Sequence, residues 1–305
     1  MNKTICPICQ RELNRLLRPD FMLCLDCCIA VRLPSTIPAT YDRLNVYSEE
    51  WIQEHSQNPT AQDVAESLTR IVGTTVPLGS SVLDIGCGSG VLVGKLNNMG
   101  YGYDASGLDW SEPATKFARK HYQGEYILAN VEQGLSIGKT FGCAVASHIL
   151  EHLENPHKFL QSVKKILEPE GYLVIAVPNL DWWNPKSAYR SVSTVFDPEH
   201  AVGYSPAGLR KVLKANGYDV MRMITRTHRL AILTAVLITA YHRMRSGKMT
   251  DEQGSELGTA QRTYSVIMDN PIVSRILSIA MKPFNRMSER RLRGMELIAM
   301  AKKDE

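Results

Sequence analysis

The stretch VLDIGCGSG, residues 82–90, places three glycines at alternate positions directly after a short apolar run that ends in an aspartate. A buried strand at this point would deliver Asp84 to the carboxyl edge of a parallel sheet. Gly86, Gly88 and Gly90 would then let the backbone turn tightly and approach a ligand without an intervening Cβ atom. The stretch therefore predicts a ligand-binding loop between a strand and a helix.

The aspartate distinguishes this loop from a dinucleotide-binding loop, which has the spacing GxGxxG and needs no acid at the end of its strand. Here the spacing is GxGxG, and Asp84 lies two residues before Gly86. The carboxylate would repel a pyrophosphate but would attract a ligand that carries an ammonium and a sulfonium group. S-adenosylmethionine carries both, so the loop predicts this cofactor and disfavours an NAD-linked oxidoreductase.

Two later segments add to the predicted cofactor site. Asp109 ends a second strand-like segment, where it can accept hydrogen bonds from both ribose hydroxyls. Trp110 would pack against adenine, and Asn130 with Val131, after a third strand, would lie near the adenine amino group. The predicted cofactor-binding residues are Asp84, Gly86, Gly88, Gly90, Asp109, Trp110, Asn130 and Val131.

Strand-like and helix-like segments alternate over residues 80–186, which predicts an open α/β sheet of parallel strands joined by crossover helices. A later helix has its own boundary signals. Ser205 suits its N-cap, Pro206 its first position, and Gly217 the residue just past its end.

The chain resembles class I S-adenosylmethionine-dependent methyltransferases in six stretches, which in order are VLDIGCGSG, GLDWS, ILANVEQ, ASHILEHLENP, GYLVIAVPN and EHAVGYSPAGLRKVLKANGY. The resemblance is greatest to the broad group that contains ubiquinone-pathway O-methyltransferases and many bacterial glycan-cluster methyltransferases. It implies a Rossmann-like seven-stranded sheet with one antiparallel strand, helices on both faces, and methyl transfer to a nucleophile. Two positions depart from the group's pattern, because Asn130 and Gly142 stand where many relatives have an acid.

The motif SHILEHLENP places His148, Glu151 and His152 after the fourth strand, where the methyl group of the cofactor would lie. HxxEH also matches a zinc-peptidase signature, but that site needs a long helix, and Pro156 leaves room only for a short turn. Three interpretations remain open. The residues act as a general base, bond to the backbone in a structural role, or hold a divalent ion, as the resemblance to some ubiquinone-type relatives implies.

His200, in FDPEHAVGYS, precedes the helix that covers the active site in relatives. The resemblance therefore implies a contact with the substrate, or the role of the base. The predicted catalytic residues are His148, His152 and His200.

Four N-terminal cysteines form two CxxC pairs, Cys6 with Cys9 and Cys24 with Cys27, with fourteen residues between the pairs. This is the spacing of a structural zinc ribbon. Cys28 is an alternative ligand, but only Cys27 keeps the spacing. A segment of about thirty residues buries too little surface to fold alone, so zinc would supply its stability. The alternative is a reduced cysteine cluster without an ion.

Charge is unevenly distributed along the 305 residues. From Ser205 to the end there are 18 Lys and Arg against 9 Asp and Glu, whereas the whole chain has a net charge of only +4. This asymmetry indicates an anionic partner or surface, or simply a solvated basic face. The N-terminus has no apolar segment of a secretory signal, which predicts a cytoplasmic location.

We expect five segments, which are a zinc ribbon at 1–33, a linker with N-terminal helices at 34–74, a methyltransferase core at 75–228, a helical insert at 229–288, and a final strand with tail at 289–305. The insert combines apolar helices with basic flanks. It predicts a lid, a homodimer contact, or a helix pair lying on an anionic membrane surface at the inner face of the membrane.

These features predict a methyltransferase that acts on an oxygen of a glycan, a lipid-linked molecule or another small-molecule acceptor. An RNA methyltransferase is the first alternative, since zinc ribbons hold nucleic acid in such enzymes. This ribbon is only modestly basic, however, and Phe21 is its single aromatic residue, so base stacking has little support. A non-catalytic module that keeps the cofactor fold is the second alternative.

Overall fold

The structure is a computed structural model that describes residues 4–34, 48–135, 137–182, 194–227 and 291–304. The helices in these ranges are α1 (Glu49–Gln57), α2 (Pro59–Thr75), α3 (Val91–Asn98), α4 (Glu112–His121), α5 (Pro156–Ile166) and α6 (Pro206–Ala215). The strands are β1 (Leu16–Arg18), β2 (Phe21–Cys24), β3 (Ile29–Arg32), β4 (Ser81–Ile85), β5 (Asp104–Asp109), β6 (Glu125–Leu128), β7 (Phe141–Ser147), β8 (Leu167–Pro178), β9 (Val202–Tyr204), β10 (Tyr218–Arg226) and β11 (Glu296–Lys303).

The larger sheet has seven strands in the order β10-β11-β8-β7-β4-β5-β6. Strand β11 is antiparallel to both β8 and β10, and the remaining neighbours are parallel. The predicted fold class, a Rossmann-like seven-stranded methyltransferase sheet with one antiparallel strand, is confirmed.

The core lies on both faces of this sheet, because successive side chains of a strand point to opposite faces. In β4, Leu83 and Ile85 belong to a buried cluster that includes side chains of α5 and α6. Val82 belongs to the cluster on the other face, with side chains of α2 and α3. A strand with helices on both sides is usually apolar throughout, so the buried acid of β4, Asp84, is an exception to this pattern.

The strand order reverses around β4, which has β5 on one side and β7 on the other. Ligands of open α/β sheets bind in the crevice outside the carboxyl ends of the strands at such a reversal. Registers Ile85↔Leu108 and Ile85↔Ala146 bring the ends of these three strands to one edge.

The smaller sheet has the order β1-β2-β3-β9. Strands β1 to β3 come from the N-terminal cysteine-containing segment, but β9 lies about 170 residues later in the chain, and it pairs with β3 through Ile29↔Tyr204 and Val31↔Val202. The sequence suggests a separate ribbon, whereas in the structure this segment shares a sheet with a strand of the following α/β region.

Helix α6 follows the boundary signals of its sequence. Pro206 is its first residue, and the Ser205 hydroxyl accepts a hydrogen bond from the Gly208 amide at 3.1 Å. The predicted insert at 229–288 lies outside the described residues. Among the helices that the structure does describe, none combines the length and the apolar character that crossing a bilayer requires.

Candidate active site

The glycine-rich loop between β4 and α3 has left-handed backbone at all three glycines, with φ values of +75° at Gly86, +50° at Gly88 and +81° at Gly90. A Cβ atom would lie 2.3 Å from Ile149 Cδ1 at the first position and 2.8 Å from Ala118 Cβ at the third. At the middle position it would meet nothing within 4 Å. The outer two glycines are therefore needed for packing, and Gly88 leaves open space beside the crevice.

Asp109, the last residue of β5, is hydrogen-bonded to this loop. Its Oδ2 accepts from the Gly88 amide at 2.8 Å, and its Oδ1 accepts from the Ser111 amide at 2.9 Å. The side chain is only 5% exposed, and burial raises the pKa of Asp109. The structure thus joins the two predicted cofactor segments through a buried carboxylate.

Asp84 is also 5% exposed. Burial, together with the negative charge of Asp109, raises the pKa of Asp84 to about 7. Each of two interacting buried carboxylates destabilises the charged form of the other, so the pair favours a cation and opposes any further anion. With the open space at Gly88, they fit S-adenosylmethionine and do not fit the pyrophosphate of NAD.

The predicted adenine contacts lie beside this pair. Trp110 directly follows Asp109 and is half-buried. The backbone carbonyl of Asp109 accepts a hydrogen bond from the Ala129 amide at 2.9 Å, which brings Asn130 and Val131 to the same edge. The side-chain oxygen of Asn130 accepts from the Glu132 amide at 2.9 Å and so caps a short 3-10 helix. The adenine roles of these residues stay predictions.

His148 lies just past β7, with a left-handed backbone at φ +55° that is uncommon for a residue other than glycine. Its Nδ1 lies 3.0 Å from Glu151 Oε1, and its Nε2 lies 2.9 Å from Glu296 Oε1. Burial by itself would lower the pKa of His148, but the two carboxylates outweigh it and raise the pKa to about 10. With both ring nitrogens beside carboxylates, His148 has no free nitrogen to accept a proton from an acceptor. This geometry argues against His148 as a general base, and its catalytic role stays a prediction.

Glu296 connects His148 to a further ion pair between β11 and β10. Glu296, at the start of β11, is also 3.1 Å from the Arg226 guanidinium of β10. Arg226 in turn donates a hydrogen bond to the Asp63 carbonyl of α2 at 2.6 Å. The sequence analysis missed Glu296, although an acid inside the apolar stretch MELIAM is a recognisable signal of a buried charge.

His152 has a backbone carbonyl beside its ring, where His148 has two carboxylates. Its side chain is half-buried, and its Nδ1 lies 3.3 Å from the Glu199 carbonyl oxygen. A carbonyl only accepts, so Nδ1 carries the proton in this contact, which leaves Nε2 as the ring nitrogen that could accept one.

His200 packs against His152, with the ring centroids 4.7 Å apart and the planes nearly perpendicular. It is 4% exposed, its Nδ1 lies 3.4 Å from the Val195 carbonyl oxygen, and burial lowers its pKa. This burial argues against a direct contact between His200 and an acceptor. It favours a role in supporting His152.

If a divalent ion binds here, the contacts favour Glu151, His152 and His200 as its ligands and not His148. Ligand atoms of Glu151, His152 and His200 lie within 4.8 Å of one another, whereas both nitrogens of His148 face carboxylates. Among the described side chains, Glu151 Oε2 is a buried oxygen without a hydrogen-bond partner. A metal ion at these three residues stays an open prediction.

The four cysteines of the CxxC pairs converge, and their sulfur atoms lie within 4.8 Å of one another. Cys9 Sγ and Cys24 Sγ are 3.8 Å apart. A tetrahedral zinc ion with bonds of about 2.3 Å sets its sulfur ligands about 3.8 Å apart. Cys28 instead turns outward, where its thiol donates to the Leu25 carbonyl at 3.4 Å. The donor set fits a structural zinc ion held by Cys6, Cys9, Cys24 and Cys27.

Known proteins resemble the chain over the same region. The curated relatives include ubiquinone biosynthesis O-methyltransferases of Roseobacter denitrificans, 26% identical over 61% of this chain and 80% of that protein, and of Schizosaccharomyces pombe, 30% identical over 43% of this chain and 47% of that protein. The chain thus spans about half the length of the first curated relatives that it matches. A solved S-adenosylmethionine-dependent methyltransferase from Archaeoglobus fulgidus is 20% identical, with a TM-score of 0.49, over 82% of this chain and 97% of that chain.

A family profile described as a methyltransferase domain matches residues 53–222, which is more than half of the chain. The matched region runs from α1 to β10 and contains the glycine-rich loop, both aspartates of the predicted cofactor site and all three predicted catalytic histidines. The chain therefore belongs to the class I S-adenosylmethionine-dependent methyltransferase family.

Proposed function

We propose that the protein transfers the methyl group of S-adenosylmethionine to an oxygen atom of a small-molecule acceptor, with His152 as the general base. The observation that carries this proposal is the position of His152 at the same sheet edge as Asp84 and Asp109. The named function of the curated relatives, O-methylation in ubiquinone biosynthesis, supports oxygen as the methylated atom.

The sulfonium of the cofactor supplies an activated methyl group when it is bound. The residues of the chain then have three tasks. The carboxylates of Asp84 and Asp109 bind and orient the cationic donor, and the open backbone at Gly88 allows close approach. His152 Nε2 accepts the hydroxyl proton of the acceptor as the oxygen attacks.

Among small-molecule acceptors, we propose that a glycan or a lipid-linked molecule is preferred to a free aromatic compound. The basic C-terminal third would favour an acceptor that carries phosphate or lies on an anionic lipid surface. RNA is a weaker candidate, because the edge of β3 that a separate ribbon would offer to a nucleic acid is already paired with β9.

The test combines binding with turnover. Calorimetry measures S-adenosylhomocysteine affinity, and a radiolabelled methyl donor is offered to panels of phenolic, glycan, lipid-linked and RNA acceptors. With the acceptor that is found, His152→Ala should lower turnover by about 10²- to 10⁴-fold. Cofactor affinity should stay within about twofold, as in the control His121→Ala, which removes an exposed histidine of α4.

Three results would contradict the proposal. Full turnover in His152→Ala would remove the base. Binding of the product without turnover on any acceptor class would favour a non-catalytic module. Tight and steeply salt-dependent RNA binding, with methylation of RNA, would favour the RNA alternative.

A further inference from the structure

The zinc ribbon and the active site are connected by one short stretch of chain. Residues 195–201 lead into β9, the strand that pairs with β3 of the ribbon. Arg32 is the last residue of β3, and its backbone amide donates to the Ala201 carbonyl at 2.9 Å. We call residues 195–201 the acceptor loop, because the loop carries Glu199 and His200.

The guanidinium of Arg32 is buried, and its donors go mainly to backbone carbonyls of the acceptor loop. Nε donates to the His200 carbonyl at 2.8 Å, and one terminal nitrogen donates to the carbonyls of Asp197 at 2.7 Å and Phe196 at 3.2 Å. The other terminal nitrogen donates to Asp20 Oδ2 at 3.2 Å. Guanidinium donors form a rigid planar fork, so these three carbonyls are fixed relative to one another and to the ribbon.

The same loop holds the proposed base. The Glu199 carbonyl, between two carbonyls that Arg32 binds, lies 3.3 Å from His152 Nδ1. The Ala201 amide donates to the Glu151 carbonyl at 2.8 Å. The His200 ring packs against His152 from the side. The position of the loop therefore determines which nitrogen of His152 carries the proton and where its ring lies.

The predicted zinc ligands lie at the other end of this connection. Cys24 is the last residue of β2, and Cys27 lies two residues before β3 begins. Phe21, in β2, lies under the Arg32 guanidinium with its ring centroid 4.5 Å away. The two strands that present Arg32 and its aromatic support are thus anchored at the zinc ligands.

We propose that Arg32 is a positioning residue, through which the zinc ribbon holds the acceptor loop and thereby fixes the tautomer and orientation of His152. The ribbon then forms one wall of the acceptor site and is not a separate binding module. The role of His152 as a base rests on the proposed function, whereas the placement of its ring by Arg32 does not.

The test uses the full zinc-loaded chain and needs no acceptor. Arg32→Met is compared with Arg15→Met, which removes an exposed arginine of the same ribbon. Nitrogen-15 NMR reports the His152 tautomer, and hydrogen exchange reports the amides of His200 and Ala201. In Arg32→Met, the His152 signals should move toward the mixed tautomers of a free histidine, and the two amides should exchange about tenfold faster or more. Arg15→Met should match the wild type.

Two further measurements keep the result interpretable. Zinc content and S-adenosylhomocysteine affinity should be unchanged in Arg32→Met, since its contacts lie away from the cysteines and from Asp84. If Arg32→Met fails to fold, Arg32→Lys replaces it, because lysine keeps the charge beside Asp20 but cannot span three carbonyls. Its exchange rates should lie between those of the wild type and those of a zinc-depleted sample.

Wild-type His152 signals and exchange rates in a folded Arg32 variant would overturn the proposal. Unchanged His152 signals after zinc removal would overturn the part that assigns the ribbon. Failure of the proposed function has a different signature. The His152 signals and the amide exchange rates would still respond to Arg32→Met, but S-adenosylhomocysteine binding or methyl transfer would be missing.

Discussion

The two sides of the crevice are built in different ways. The predicted cofactor side uses residues from three consecutive strand ends, β4 to β6, all between Asp84 and Val131. The proposed acceptor side combines β3 of the ribbon, the turn after β7, the acceptor loop and β11. The comparison indicates that the cofactor site follows from strand register, whereas the acceptor site depends on long-range polar contacts.

The two sides also treat buried charge differently. On the cofactor side, Asp84 and Asp109 lie close together, and burial raises the pKa of both. On the acceptor side, the carboxylates of Glu151 and Glu296 contact the imidazolium of His148. The negative charge of Asp84 and Asp109 is therefore available to a cationic ligand, whereas the negative charge of Glu151 and Glu296 is balanced by His148.

The largest expected effect on stability comes from removing His148, the cation between Glu151 and Glu296. His148→Gln would leave Glu151 and Glu296, which are 1% and 3% exposed, without their shared cation. We expect a loss of about 2–3 kcal/mol in the free energy of unfolding, below the range for fully buried pairs because 41% of the His148 side chain is exposed. Urea unfolding measures it, with His121→Gln as the control. A change below about 0.5 kcal/mol would contradict the ion-pair account.

The same pair has a pH signature. The pKa of His148 is raised in the folded state from 6.5 to about 10, so its contribution to stability is fully present below pH 6.5. The contribution should be lost as the pH rises through about 10. The wild type should therefore lose more stability between pH 7 and pH 10 than His148→Gln does, because the variant lacks the titrating group.

A matched pair of glycine substitutions tests the cofactor side. Gly86→Ala would place its Cβ atom 2.3 Å from Ile149 Cδ1 at a φ of +75°, so we expect a stability loss of about 1–3 kcal/mol. Gly88→Ala meets no neighbour within 4 Å and should cost only about 1 kcal/mol of backbone strain. It should weaken S-adenosylmethionine binding more than stability, by calorimetry and urea unfolding. Equal effects of the two variants on both quantities would contradict the assignment of Gly88 to the ligand.

The last prediction concerns the proton on Asp84, which affects cofactor binding and not the packing of the loop. Its pKa of about 7 means that the free protein binds a proton there under mildly acidic conditions, and a cationic ligand must displace it. S-adenosylmethionine affinity should therefore fall as the pH is lowered below about 7, by up to about tenfold per pH unit. Asp84→Asn should bind more weakly at pH 8 and lose this pH dependence. An affinity that stays flat from pH 5.5 to pH 8 in the wild type would contradict a proton on Asp84.

Much of the fold could be predicted from sequence, because the determining signals are local. The glycine spacing after β4, the acid at the end of β5 and the caps of α6 each span only a few residues, and the structure has the turn, the strand and the helix there. The two CxxC pairs likewise predict a four-cysteine group that the structure brings together. The catalytic role of His148 stays a prediction that its contacts argue against, and no local signal reveals that Glu296 lies beside its second nitrogen.

The sequence by itself determined the parallel sheet, the glycine-rich turn at its edge and the grouping of four cysteines, since periodicity and short spacings encode strands, turns and clustered ligands directly. Only the tertiary structure decided how the histidines differ. Glu296 reaches His148 across 148 residues, and Arg32 reaches the carbonyl of His200 across 168. A buried charge or carbonyl is satisfied by whichever group lies beside it in space, and sequence separation carries no record of that neighbour.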